Sequence, residues 1–246
     1  MMFEYQTDSI NTWRSLSEND IFRLFISPIM EIIFENSIIK LRSGETTNAA
    51  SAEVRAVQVK AAGIHSRGAF KVDLRLVMVN DDTEYDVANC EFAKSGDLQR
   101  KVIVDNAKLA VEGKCIIDHL LTTSRLDEEQ AKKIQVVNLQ ACGLKMQLLA
   151  LKLDRDGDGY VTQPIGSTIR LPTSIDTILP FFQDGLPLLQ YMKKVAEKNA
   201  MLLQDAFNRD RSNFGSASPP HRTDYIKKTW LGPSSTRPNS IPPIPY

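Results

Sequence analysis

No stretch of this chain approaches the roughly 18–20 consecutive apolar residues that a membrane span requires. The longest apolar runs, such as Ile32-Ile33-Phe34 and Leu148-Leu149-Ala150-Leu151, are bounded by polar or charged residues. Cysteine is scarce: Cys90, Cys115 and Cys142 are widely spaced and form no C-x-x-C pair. An odd, scattered set argues against a disulfide framework or a zinc site, and fits free thiols in a reducing compartment. The opening Met1-Met2-Phe3-Glu4 has neither a basic nor an apolar segment of the secretory kind, so a cytoplasmic protein is expected rather than a secreted one.

Charge of one sign is missing too. Thirty Lys and Arg meet 30 Asp and Glu over 246 residues. That balance excludes a nucleic-acid binder working through overall basicity, but leaves room for a local basic patch. Signatures of catalysis are equally thin. The three histidines are His65, His119 and His221, no G-x-S-x-G elbow occurs, and there is no glycine-rich phosphate loop. Cys115 and His119 are spaced to share a helix face, although a buried thiol beside a stray histidine is the commoner arrangement. The expectation is a non-enzymatic protein without a cofactor.

What the chain does have is 42% hydrophobic and 24% charged residues, the profile of a globular protein with a real core. Residues 1–16 are polar and read as a flexible N-terminus. Ser17-Glu18-Asn19-Asp20 starts a short helix that Pro28 is expected to end. From Met30 to about Asp154 the dominant signal in the β-rich core of residues 17–172 is β, with a helix-forming segment at 126–134. Strands are expected at 37–41, 54–60, 70–79, 85–92, 101–104, 136–139, 144–153 and 169–171, with an ambiguous one at 115–117. The clearest is Phe70 to Met78, where Phe70, Val72, Leu74, Leu76 and Met78 alternate with a mostly charged set. Many short strands with turns between them predict a mainly β fold with added helices, an antiparallel sandwich or barrel.

Residues 173–211 read as helical. Leu188, Leu189, Met192, Val195, Asn199, Leu202 and Leu203 form one stripe. That stripe either packs on the chain's own sheet or serves self-association, with the central Asn setting register. Residues 212–246 form a Pro- and Ser-rich tail in which disorder is expected. From Arg209 onward it carries four more basic than acidic residues. Its Arg222, Tyr225, Lys227, Lys228 and Trp230, with Arg67 in an earlier turn, suit a single-stranded nucleic acid, because stacking beside Lys and Arg is tolerant of sequence. The proline-rich end is a candidate dock for a host or viral protein partner.

Asp154-Arg155-Asp156-Gly157-Asp158-Gly159 matches the opening of an EF-hand loop, with Asp154, Asp156 and Asp158 as calcium ligands. Ile165 stands where the bidentate Glu belongs, and Pro164 and Gly166 allow no outgoing helix. A tight hairpin between strands is the preferred reading of 154–165, with a calcium-tuned interaction module as the alternative.

One arrangement goes further. The strand Phe70 to Val79 followed by Asn80-Asp81, with Gly143 62 residues on and then a helix and a tail, resembles the plant-virus movement proteins of the 30K superfamily. The resemblance covers roughly residues 30–172 and places the family's aspartate at Asp81 and its downstream glycine at Gly143. It implies a jelly-roll-like core, binding of single strands without sequence preference, self-association, and cell-to-cell transport at host plasmodesmata. A viral matrix or capsid-like structural protein is the other reading of such a core.

Overall fold

The computed structural model describes residues 15–47, 50–52, 56, 71–94, 98–124, 126, 128–154 and 159–212. Six strands form one sheet in chain order: β1 (Ile39–Thr47), β2 (Lys71–Asn80), β3 (Thr83–Ala93), β4 (Gln135–Cys142), β5 (Lys145–Leu153) and β6 (Tyr160–Arg170). Every neighbouring pair is antiparallel except β3 and β4, which run parallel. A parallel pair needs a crossover, and the 27-residue helix α3 (Leu98–Ser124) supplies it, followed by the single turn α4 (Glu128–Ala131).

The two faces of this sheet are covered differently. On one lies α3, where Asn138 Nδ2 donates to the Leu109 carbonyl at 2.9 Å and Gln140 Nε2 to that of Val102 at 2.7 Å. On the other lie α1 (Glu18–Ile21) and α2 (Ser27–Ile33), joined through a π-helical turn, and α5 (Ile175–Pro180) and α6 (Leu186–Ser212), joined through another. Phe22 packs on Phe92 there with ring centroids 4.6 Å apart, and Asn199 Nδ2 donates to the Gln135 carbonyl at 2.9 Å. Side chains from the sheet, α2, α3 and α6 share one core cluster.

The strands expected at 37–41, 70–79, 85–92, 136–139 and 144–153 and the terminal helices stand close to where the sequence places them. More of the described residues are helical than in strands, however, and they do not make the mainly β antiparallel sandwich. The described residues make a single mixed sheet with helices on both faces, so no second sheet packs on it and a two-sheet jelly roll is not what they form. The physical reason is α3. Its segments 101–104 and 115–117 carry β-branched residues and read as strands, the second ambiguously, yet both lie inside one helix. The inward row of that helix is Asp105, Leu109, Glu112, Ile116 and Leu120, all buried. Two acids in the row break the apolar period that would have announced it.

Pro28 also behaves differently. It lies within an unbroken helical path, just after the π-helical turn Phe22–Ile26, and that path continues to Ile33. The hairpin preferred for residues 154–165 is present in outline, since β5 and β6 pair antiparallel and Asp154 N–H donates to the Gly159 carbonyl at 2.9 Å. The strand expected at 54–60 and the turn at 63–68 lie outside the described residues, apart from Ala56.

Candidate functional site

The alternation of β2 gives it an apolar face and a charged one, and a charged face suggests solvent. Here α3 covers it. Asp73 and Arg75 on β2, Asp86, Asn89 and Glu91 on β3, and Asn138 and Gln140 on β4 face Asp105, Lys108 and Glu112 of the helix. All of these except Asp73 and Lys108 are buried, and Asp73 is half-buried. Polar groups removed from water need partners, and most have one. Arg75 Nε donates to Asp86 Oδ1 at 2.6 Å, Asn138 Oδ1 accepts the Asn89 N–H at 2.8 Å, and Asp73 Oδ2 accepts the Phe92 N–H at 2.7 Å.

The centre of the cluster is Lys108. Its Nζ lies 2.6 Å from Glu91 Oε1 and also donates to the Lys71 carbonyl. Continuing the β2–β3 register by one residue from Leu74↔Cys90 puts Asp73 opposite Glu91. Lys108, Asp73 and Asp105 act electrostatically on Glu91, and Lys108 and Glu91 on Glu112, so four carboxylates gather about the Lys108–Glu91 pair. Burial pushes Glu91 up to about 7, Lys108 opposes that shift, and the nearby Asp73 and Asp105 add to it. Burial likewise pushes Glu112 up to about 8, against Lys108 and with the charges of Glu91 and Asp86. Asn89 Nδ2 donates to Glu112 Oε2 at 3.0 Å, while Glu112 Oε1 and Asn89 Oδ1 have no hydrogen-bond partner.

Placement in the fold adds to the chemistry. Glu91 and Gln140 lie near the C-terminal ends of the parallel strands β3 and β4, with the first turns of the crossover helix above them. In open, mostly parallel α/β sheets ligands bind outside the carboxyl ends of the strands, and this single parallel pair presents such an end. Among the described residues no group of three or more His, Cys, Asp or Glu side chains is placed to hold a metal ion.

The residues singled out from sequence are distributed otherwise. Asp81 and Asp82, at φ 46° and 60°, are the two central residues of the β2–β3 hairpin, as in a type I′ turn. Gly143, at φ 56°, turns β4 into β5, and its N–H donates to the Ala93 carbonyl at 2.8 Å. Asp81 thus precedes the first residue of β3 and Gly143 adjoins its last, so the structure sets them at opposite ends of that strand. Asp81 pairs with Arg211 at the end of α6.

The α6 stripe faces inward. Leu189, Met192, Asn199 and Leu203 are buried against the chain's own sheet, and Leu188, Val195 and Leu202 are partly buried. A second helix finds no open seam there. Cys115 packs on Ala50 and Val111, whereas His119 stacks on Tyr85 at 5.7 Å, so the two serve different neighbours. Asp154 directly follows β5, while Asp156 and Asp158 lie outside the described residues. So do Arg67, Arg222, Tyr225, Lys227, Lys228 and Trp230.

Sequence reading missed all five members of the central cluster. Their signal is weak: an acid in each of two adjacent strands, then Asp105, Lys108 and Glu112 at spacings of three and four on a segment that reads as β. No helix of the described residues is long and apolar enough to cross a membrane. No family model, curated protein or solved structure matches the chain.

Proposed function

We propose that the protein hydrolyses phosphodiester bonds in a nucleic-acid strand with the help of a divalent cation, at Asp73, Glu91 and Lys108. One observation carries this reading. Two carboxylates on neighbouring strands, Glu91 buried and Asp73 half-buried, stand with a single lysine at the end of the only parallel pair among the described strands. A hard cation such as Mg²⁺ is commonly held by one or two carboxylates, with water and substrate phosphate filling its other positions. A complete protein cage is therefore not required. An excess of buried carboxylate over ammonium favours such an ion, since the alternative is to bind protons.

The roles follow from the chemistry. Asp73 and Glu91 are the residues that would hold the cation, and a cation there would supply an acidified water and a polarised phosphoryl oxygen. The water oxygen would bond to phosphorus as the ester P–O bond breaks, and the Lys108 ammonium would offset the charge that develops. The proton given up by the water would pass through solvent to the departing alkoxide, which leaves as the alcohol. Zero net charge on the chain means that strand contacts are local. The basic and aromatic residues of the tail, with Arg67, are the candidates for them.

The test is cleavage of an end-labelled single-stranded oligonucleotide by the full chain with millimolar Mg²⁺ or Mn²⁺. Cleavage is expected to stop with EDTA and to fall by about 10²-fold or more in Asp73→Asn, Glu91→Gln and Lys108→Met. Absence of cleavage with either metal, or cleavage that persists in the first two variants, would overturn the reading. Metal-independent binding without cleavage would instead return the protein to the non-enzymatic class of single-strand binders.

A further inference from the structure

Lys145 opens β5 and Arg170 closes β6, and the two are register partners. Like charges directly opposite one another on adjacent strands repel. Both side chains are exposed, and among the described residues neither has an ion-pair partner. They line a groove of about 690 Å³. Ser167 and Thr173 contribute hydroxyls to it, Phe181 an apolar wall, and Asp184 is the one acid among its lining residues. Two unpaired cations side by side in a recess, with hydroxyls beside them, are suited to an anion.

The groove is also placed with respect to the carboxylate–lysine cluster. Gln140 pairs with Gln147, and Lys145 lies two residues further along β5, so alternation sets Lys145 and its partner Arg170 on the same sheet face as Gln140 and Glu91. Ile169 and Phe181 wall the groove from the face that α5 and α6 cover, so the groove opens round the end of the sheet. The hydrogen bond from Gly143 N–H to the Ala93 carbonyl ties this corner to the end of β3. At roughly 4.8 Å between strands and 3.3 Å along them, Lys145 and Arg170 lie about 12–16 Å from Glu91. A strand stacked at about 3.4 Å per nucleotide covers that span with about four nucleotides.

We propose that Lys145 and Arg170 form a phosphate-gripping pair that holds the backbone of a nucleic-acid strand a few nucleotides from the bond to be cut. The assignment to a strand rests on the phosphodiesterase reading, whereas the anion site itself rests on the cation pair.

The test measures polarisation of a fluorescein-labelled thymidine octanucleotide on the full chain in EDTA, across a salt series. In Lys145→Glu/Arg170→Glu the dissociation constant is expected to rise at least tenfold, and the log–log salt slope to shrink by about 1.4, or 0.7 for each lost contact with a single strand. Both substitutions are at exposed strand ends, so an unchanged Tm is expected. Lys198→Glu, on the exposed side of α6, serves as control. Unchanged octanucleotide binding in the double variant, or an equal loss in the control, would overturn the proposal. Inorganic phosphate at millimolar concentration should compete weakly; full displacement by it, with no change in salt slope between wild type and variant, would assign the pair to free phosphate and overturn the strand reading.

Cleavage of a dinucleotide, too short to reach the pair, separates the two proposals. The double variant should cut it like wild type while losing activity on the octanucleotide. If wild type cuts neither substrate, the phosphodiesterase reading fails, and the binding data still decide the anion site.

Discussion

Replacing Glu112 by Gln should make the protein more stable, and increasingly so as the pH rises. Glu112 is fully buried on the inward row of α3. Its Oε2 accepts from Asn89 Nδ2, but its Oε1 and the Asn89 Oδ1 are two acceptors without donors. A proton on Glu112 supplies a donor in the right place. Gln supplies the same donor permanently, because its amide can face the Asn89 amide in a reciprocal pair. The groups around the site are Lys108 on the same helix and Asp86, Asn89 and Glu91 on β3.

The sign follows from the raised pKa. Burial holds Glu112 at about 8 against an ordinary 4.5. Below about pH 4.5 both folded and unfolded chains carry the proton, and the wild type keeps the full benefit of the neutral acid. Between 4.5 and 8 the unfolded chain has released the proton and the folded chain has not. Stability therefore falls with rising pH by about 1.4 kcal/mol per unit, and levels off above 8. Over the whole window the loss is about 4–5 kcal/mol, an upper figure because water penetration softens buried charge.

Glu112→Gln removes this dependence and leaves every other titrating group in place. Urea unfolding of both proteins from pH 5 to pH 8.5 should show their stability gap widening steadily in favour of the variant. A gap independent of pH, or one that narrows, would refute the argument that Glu112 is neutral in the folded protein.

Two further changes probe the frame around the cluster. Asn138→Ala removes the acceptor of the buried Asn89 N–H and the donor to the Leu109 carbonyl, and should lower unfolding stability by about 2–4 kcal/mol, with the urea m-value unchanged. Gly166→Ala puts a methyl 2.5 Å from Leu188 Cδ2 at a residue with φ +64°, and should lower stability by about 2–4 kcal/mol. Leu188→Ala in that background should recover only the steric share, which calorimetry of the double variant will show.

Much of the frame is legible without coordinates, and for physical reasons. β2 alternates strictly, because Val72, Leu74, Leu76 and Met78 all turn toward the face that α2 and α6 cover. Asn80-Asp81-Asp82-Thr83 is a two-residue hairpin whose central residues tolerate positive φ. α6 keeps its apolar stripe and ends with Arg209 and Arg211, suited to a helix C-terminus. In each case the residues that specify the element are neighbours in sequence, so local pattern and tertiary packing agree.

The candidate site fails that condition at every member. Asp73 and Glu91 lie on the β faces that alternation assigns to water, and nothing within β2 or β3 announces a helix above them. What puts a helix there is the parallel pairing of β3 with β4, a property of residues some 49 positions apart such as Cys90 and Leu139. That same crossover converts a solvated charged face into a buried one and thereby raises Glu91 and Glu112. The acids on the inward row of α3 then disguise the helix as strand, since an apolar residue at Asp105 and Glu112 would have completed the period. The polar substitutions that hid α3 from the sequence are thus the ones that give it something to do. A helix serving only as a cover would gain stability from Leu at both positions, and this one carries carboxylates instead.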